Sequence, residues 1–361
     1  MKNNPAFSSP LVQCHCVDAL RLAMAAITLA LLSVGAGRVF GQESTANIEQ
    51  RLGYQSFQLE GDHGPIHFYV STGGVPLDQT KTKNVMLYLQ GSGPVPLYFG
   101  ETDRPGSSLM FDAEDFADYH YVVISKPGVP FFAASKEQSN PTYQKRTSLE
   151  CRVSDVICVL DFLRAKKWVG ENVLLMGHSE GADVAPWVAA KSPVVTRLVT
   201  LAPGGLSQML ELTLLERKKA ERGEVTQAEA QAEIDAMNAQ FRQIFADPTN
   251  WEKQWYGHSY LRWSTFVRPA MEAYVKLDIP VLMIAGLHDQ NTPCESAEAV
   301  ELEFIRLGKE NLTLERWPMD HYFVQRDGDQ RTDLRSRAAK YIIEWSNQPS
   351  SEFETKTSRE R

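Results

Sequence analysis

Apolar residues along this chain recur with two different periods, and the changes between them mark out the elements. Residues 54–59 and 66–70 alternate apolar with polar, as strands with one wet face do, and Gly61 to Gly64 between them reads as a hairpin turn. Residues 84–89, 121–124, 172–176, 197–201 and 280–286 are instead nearly unbroken apolar runs. Runs of that kind predict parallel strands covered on both faces. Residues 147–166 place Leu149, Val153, Ile157, Leu160 and Leu163 on one helical face, with Thr147 and Glu150 spaced as a capping box. Strand and helix alternate, which predicts an α/β chain with a mostly parallel central sheet and helices on both faces.

The alternation stops after Ala202-Pro-Gly-Gly205, and no strand pattern returns until residue 280. One helix is predicted over 207–222. A second opens on the Thr226-x-x-Glu229 box, carries Ile234, Met237, Phe241 and Phe245, and stops at Asp247-Pro248. Trp251, Trp255, Tyr256, Tyr260, Trp263 and Phe266 follow. Residues 206–276 thus read as a helical lid inserted between two parts of one sheet domain, 42–205 and 277–347, with most of the aromatics packing the lid itself. A helix at 296–307, a strand at 312–317 and a helix at 333–345 complete the domain. The polar segment 348–361 reads as a flexible tail.

The first 41 residues do not share this pattern. Residues 22–37 are an uncharged run of sixteen, preceded by Lys2 and Arg21, closed by Arg38 and followed by Val39-Phe40-Gly41. That arrangement predicts a secretory signal peptide over 1–41 and a secreted or periplasmic protein without a stable membrane span after processing. The alternative is an anchor formed by residues 22–37, which is short for a bilayer. Removing three basic residues and one acidic residue with the leader takes the net charge from −8 to −10, which argues against a nucleic-acid partner. Cys151 and Cys158 stand seven apart on a predicted helix, about 10 Å along its axis, too far for a disulfide. No metal-ligand spacing is present.

Candidate chemistry is concentrated at Gly177-His178-Ser179-Glu180-Gly181, which lies between a predicted buried strand and a predicted helix. Glycines on both sides of the serine allow a close crossing of strand and helix, and the helix N-terminus directs its amides at a developing negative charge. This stretch resembles the nucleophile elbow of the α/β-hydrolase family. The resemblance extends over about residues 50–347 and implies an α/β-hydrolase fold with catalytic Ser179. It also implies an orienting acid and a base beyond later strands, in the order Ser, Asp, His. Asp289 follows the strand after the lid and His321 follows the last strand, so these take the two roles.

Gln90-Gly91-Ser92-Gly93-Pro94 stands where many members carry His-Gly, and the backbone amides of Ser92 and Glu180 are the implied oxyanion hole. No Lys-Ser/Thr pair follows to make it a phosphate loop. His178 and His288 are weaker candidates for the base, and Asp320 reads as a residue that shapes its loop. The Glu180 side chain is expected to pair with a nearby Arg or Lys; the alternative is attraction of a cationic substrate group.

The implied activity is an exported serine hydrolase that cleaves a small-molecule carboxylic ester through an acyl-enzyme, with neither metal nor organic cofactor. A serine exopeptidase acting on short peptides is the alternative within the same chemistry. A non-catalytic ligand-binding homologue is the alternative outside it, and the intact Ser-Asp-His order counts against that. Export makes a direct prediction: mass spectrometry of the protein from its native host is expected to find an N-terminus close to Gln42. An intact Met1 on soluble cytoplasmic protein would overturn it.

Overall fold

The computed structural model describes residues 45–72 and 82–349. The expected signal peptide at 1–41, with its apolar run 22–37, lies outside these residues, as does the tail from residue 350. β1 (Tyr54–Gly61) and β2 (Gly64–Ser71) form the expected hairpin, paired down to Gly61 opposite Gly64. β3 (Lys83–Leu89), β4 (Tyr119–Ile124), β5 (Val169–His178), β6 (Arg197–Leu201), β7 (Val281–Gly286) and β8 (Leu312–Trp317) follow. Among the described residues the central sheet orders them β1-β2-β4-β3-β5-β6-β7-β8. Only β2 runs against the others.

Besides an N-terminal helix Thr45–Arg51 and short helical turns, the helices are α1 (Leu149–Ala165), α2 (Glu180–Ala189), α3 (Gln208–Glu221), α4 (Gln227–Ala246), α5 (Tyr260–Thr265), α6 (Cys294–Leu307) and α7 (Arg335–Ser346). The unbroken apolar strands now have their explanation. Val85, Leu87 and Leu89 of β3, with Val173 and Leu175 of β5, enter a core made with α1, α2 and α6. Met86, Tyr88, Leu174 and Met176 point the other way, into a second core closed by α7. Successive side chains alternate faces, so a strand between two dry layers needs an apolar residue at every position.

Two caps can be compared with expectation. At α4 the box is complete: Thr226 Oγ1 accepts from the Glu229 amide at 3.2 Å, and Glu229 Oε2 accepts from the Thr226 amide at 2.8 Å. At α1 the expected Thr147–Glu150 box is not the cap. Ser148 occupies that position, its Oγ accepting from the Cys151 amide at 3.1 Å, because buried Leu149 is already the first helical residue. Glu150 turns outward to Arg268, 3.6 Å away.

Between β6 and β7 the chain leaves the sheet. α3, α4 and α5 close a small core of their own from Met209, Met237, Phe241, Ile244, Tyr260 and Trp263, with Trp255 packed against it 4.9 Å from the Trp263 ring. The segment also holds a strand pair that the sequence pattern did not predict, Gln254–Trp255 against His258–Ser259. Its turn is Tyr256-Gly257, both at positive φ (48° and 74°), the geometry that a two-residue hairpin favours. Two further unpredicted hairpins, Tyr98–Glu101 with Arg104–Ser107 and Val324–Asp327 with Gln330–Asp333, lie at the carboxyl end of the sheet. The turn of the last of these is Gly328-Asp329, with Gly328 at φ 56°.

The crossing of β5 over α2 depends on two glycines. A Cβ on Gly177 would fall on the Gly181 carbonyl, and one on Gly181 would fall on the Leu89 carbonyl of β3. Both obstacles are backbone and have no room to retreat. Gly181→Ala is therefore expected to cost at least about 1–3 kcal/mol, read as a lower denaturant midpoint. Stability equal to the wild type would mean that the crossing tolerates a methyl group.

Candidate active site

The chain runs from β3 to β4 on one side of β3, then returns to place β5 on its other side. The carboxyl ends of β3 and β5 therefore flank a crevice where the winding reverses, which is where open α/β sheets bind ligands. Gln90-Gly91-Ser92 leaves β3 there and Ser179 leaves β5. Ser179 sits at φ 54° and ψ −123°, a strained backbone for a residue with a Cβ, and its amide is anchored to the Leu201 carbonyl at 3.0 Å. Gly91 lies against it: a Cβ there would be 3.2 Å from the Ser179 Cβ.

Asp289 and His321 come together from the turns after β7 and β8. Asp289 Oδ1 accepts from the amides of Asn291 (2.7 Å) and Thr292 (2.9 Å), which fixes the carboxylate, and its Oδ2 accepts from His321 Nδ1 at 2.8 Å. With Nδ1 as donor, the neutral form of the His321 ring presents a bare Nε2. Both side chains are buried, and His321 and Ser179 line one cavity of about 560 Å³. Ser92 and Glu180 line it too. His288 is exposed and Asp320 accepts from the amides of Tyr322 and Val324, so it shapes its own loop.

His178 has a supporting place. Its Nε2 donates to the His321 carbonyl at 3.0 Å, and burial, ahead of the neighbouring His321, lowers its pKa to about 3. The ring is neutral and engaged, and it braces the His321 loop.

The Glu180 side chain is fully engaged. Oε1 pairs with Arg152 of α1, and Oε2 accepts from Arg262 Nε (2.9 Å) and Nη2 (2.6 Å) of α5. Burial alone would raise its pKa, but Arg262, then Arg152 and Lys126, hold it well below the usual carboxylate range. The alternative in which Glu180 attracts a cationic substrate group fails, because both oxygens are already spent on guanidinium groups.

Several cavity residues were not singled out in the sequence. Lys126, just after β4, is buried and donates to the carbonyls of Gly91 and Gly93; burial, then Arg152, lowers its pKa to about 7. His258 of the inserted strand pair is held neutral, chiefly by burial. Asp183 of α2 and Glu211 of α3 approach each other: a Cβ on Gly204 would be 2.7 Å from an oxygen of each. Asp183 accepts from Gln208 at 2.6 Å, and Glu211 from the Ser296 hydroxyl and the Gly205 amide. Desolvation raises both carboxyls, Glu211 further through repulsion from Asp183, so the pair retains a proton near neutrality. None of these residues follows a motif; only folding brings them to one cavity.

This strand order, with a glycine-flanked serine at the reversal, is the α/β-hydrolase fold. Solved structures agree. The chain is similar to the Pyrococcus horikoshii acylaminoacyl peptidase (13% identity, 81% of this chain and 41% of that one, TM-score 0.51). It is similar also to an acylaminoacyl peptidase in complex with Z-Gly-Gly-Phe-chloromethyl ketone (14%, 82% and 41%, TM-score 0.52). Est1E from Butyrivibrio proteoclasticus shares 14% identity over 81% of this chain and 98% of its own, with TM-score 0.47. The chain spans about two fifths of the length of the two peptidases. No family model matches the sequence, and no curated protein does.

The Asp183–Glu211 pair makes stability depend on pH. Its raised carboxyls hold a proton in the folded protein that the unfolded chain releases above the ordinary carboxylate range. Stability from this pair therefore falls as pH rises from that range through neutrality. Glu211→Gln removes the requirement for a proton. Between about pH 6 and about pH 8.5 the wild type is expected to lose on the order of 1–3 kcal/mol relative to this variant. Denaturant titrations of both proteins measure it, and the comparison cancels the opposing slopes of His178, His258 and Lys126. Parallel pH profiles would remove the shared proton.

Proposed function

We propose that this protein is an exported serine hydrolase that cleaves a carboxylic ester of a small molecule through a covalent acyl-enzyme. The observation that carries the reading is the 2.8 Å bond between Asp289 and His321 beside a serine held at φ 54° in the same cavity. In this reading Ser179 attacks the carbonyl carbon while His321 Nε2 takes the hydroxyl proton. Asp289 keeps the imidazole in that tautomer and stabilises the imidazolium. The amides of Ser92 and Glu180 receive the oxyanion. His321 then protonates the leaving alcohol, and water repeats the sequence to release the acid. The inserted segment acts as a lid on the acyl site; its support is that Gln208, Leu212, His258, Arg262 and Trp263 line the cavity. Export rests on the apolar run 22–37.

One observation favours a second reading, cleavage of short peptides on the same residues: both acylaminoacyl peptidase structures and a putative dipeptidyl aminopeptidase IV, which match with TM-scores of 0.51, 0.52 and 0.52, are named as peptidases. A panel of p-nitrophenyl esters against aminoacyl-arylamides separates the two. Within either reading, Ser179→Ala and His321→Ala are each expected to lower turnover by on the order of 10⁶, and the double variant by no more than either. Asp289→Ala is expected to cost about 10⁴. Wild-type turnover in folded Ser179→Ala protein ends the assignment.

A further inference from the structure

The loop after β3 is held from behind by cations. Arg152 Nη2 of α1 reaches the Gln90 carbonyl at 3.4 Å, and Lys126 Nζ donates to the carbonyls of both Gly91 and Gly93. Lys126 is buried on the segment that leaves β4, the strand next to β3. Arg152 of α1, Glu180 of α2, and Arg262 and His258 of the inserted segment surround it.

A trans peptide is planar, so its carbonyl and the following N–H point in opposite directions. Whatever holds the Gly91 carbonyl therefore sets the direction of the Ser92 N–H. The same loop abuts the Ser179 Cβ through Gly91. Glycine at 91 and at 93, the latter at φ +86°, leaves these peptides free to rotate. Something other than local sterics must fix them, and burying a lysine for an ordinary packing role would be a costly way to fill space.

We propose that Lys126 is a positioning residue that turns the Gly91–Ser92 peptide so that the Ser92 amide faces the oxyanion. The proposal rests on the hydrolase reading of the site. Lys126 does not touch the reacting atoms; it acts through two carbonyls of the loop. Its charge is not the essential feature, since a neutral amine still carries two N–H groups for two acceptors.

The test compares Lys126→Met, which keeps the length and removes the donors, with Lys126→Gln, which keeps a donor. Each is assayed with a p-nitrophenyl ester beside the wild type and Ser179→Ala, and hydrogen exchange of residues 90–94 is followed by mass spectrometry. Lys126→Met is expected to lower kcat by on the order of 10², below the full loss of an oxyanion donor, with KM changed by less than about threefold. Exchange at 90–94 should rise while the segment around Ser179 stays protected. Lys126→Gln should recover about tenfold of the loss in kcat.

Unchanged kcat in folded Lys126→Met protein overturns the proposal, as do equal losses in the two variants. If Lys126→Met does not fold, Lys126→Gln decides alone. A folded Gln variant with a selective loss of kcat and faster exchange at 90–94 supports the role, and one identical to the wild type in both overturns it. A wild type inert toward both p-nitrophenyl esters and aminoacyl-arylamides would sink the hydrolase reading instead, and the exchange of 90–94 would still report whether Lys126 holds the loop.

Discussion

Glu180 is a buried carboxylate between two guanidinium groups, and the working end of the molecule is assembled around it. It is the first residue of α2, so its own amide stands at the elbow beside Ser179. Arg152 reaches it from α1 and Arg262 from α5 of the inserted segment. Three stretches distant in sequence meet at one carboxylate, and none of the three charges is solvated. Such a cluster adds little net stability over an apolar one, but removing one member strands the others at a cost of about 3–5 kcal/mol. Its effect is to couple: the insert cannot leave the elbow without exposing a cation and abandoning an anion. Arg262 is further committed by stacking over Trp263 and Phe266, 4.5 and 4.4 Å from their ring centres.

The cavity that results is divided in its electrostatics. Behind the loop after β3 lie Lys126, Arg152 and Arg262, with the Glu180 carboxylate paired to both arginines. Across the cavity Asp183 and Glu211 share a proton, so they meet the ligand as hydrogen-bonding groups more than as two charges. Burial drives both halves the same way, toward fewer ions, and lowers the lysine while raising the carboxyls. His178 and His258 follow the same rule and stay neutral. The site thus keeps charge where it is paired and sheds it where it is not.

Much of this was legible along the chain. Unbroken apolar runs at β3, β5 and β7 meant strands with two dry faces, and the alternating pair β1 and β2 meant a hairpin. Gly177 and Gly181 announced a crossing too close for side chains, as the carbonyls they meet bear out. The Asp289–His321 bond joins two residues that the Ser, Asp, His chain order and their places after strands had picked out together. What the pattern missed were short pieces. The cap of α1 moved by one residue because two adjacent hydroxyl residues compete and burial of Leu149 decides between them. Hairpins of two to four residues carry too few side chains to show a period, although Tyr256-Gly257 and Gly328-Asp329 form their turns.

The sequence by itself determined what depends on near neighbours in the chain: which segments are strands, which face of each helix is apolar, and where a serine sits between two glycines. It determined in addition the succession of strands and helices along the chain, because each element carries its own period. Only the tertiary structure decided which partner each charged group meets. Lys126 against Gly91, Arg262 against Glu180 and Asp183 against Glu211 are separated by 35, 82 and 28 positions. A lone Lys, Arg or Asp has no pattern that names its partner. Water would satisfy each of them equally well anywhere on the surface, and only exclusion of water by the packed fold makes one particular partner necessary.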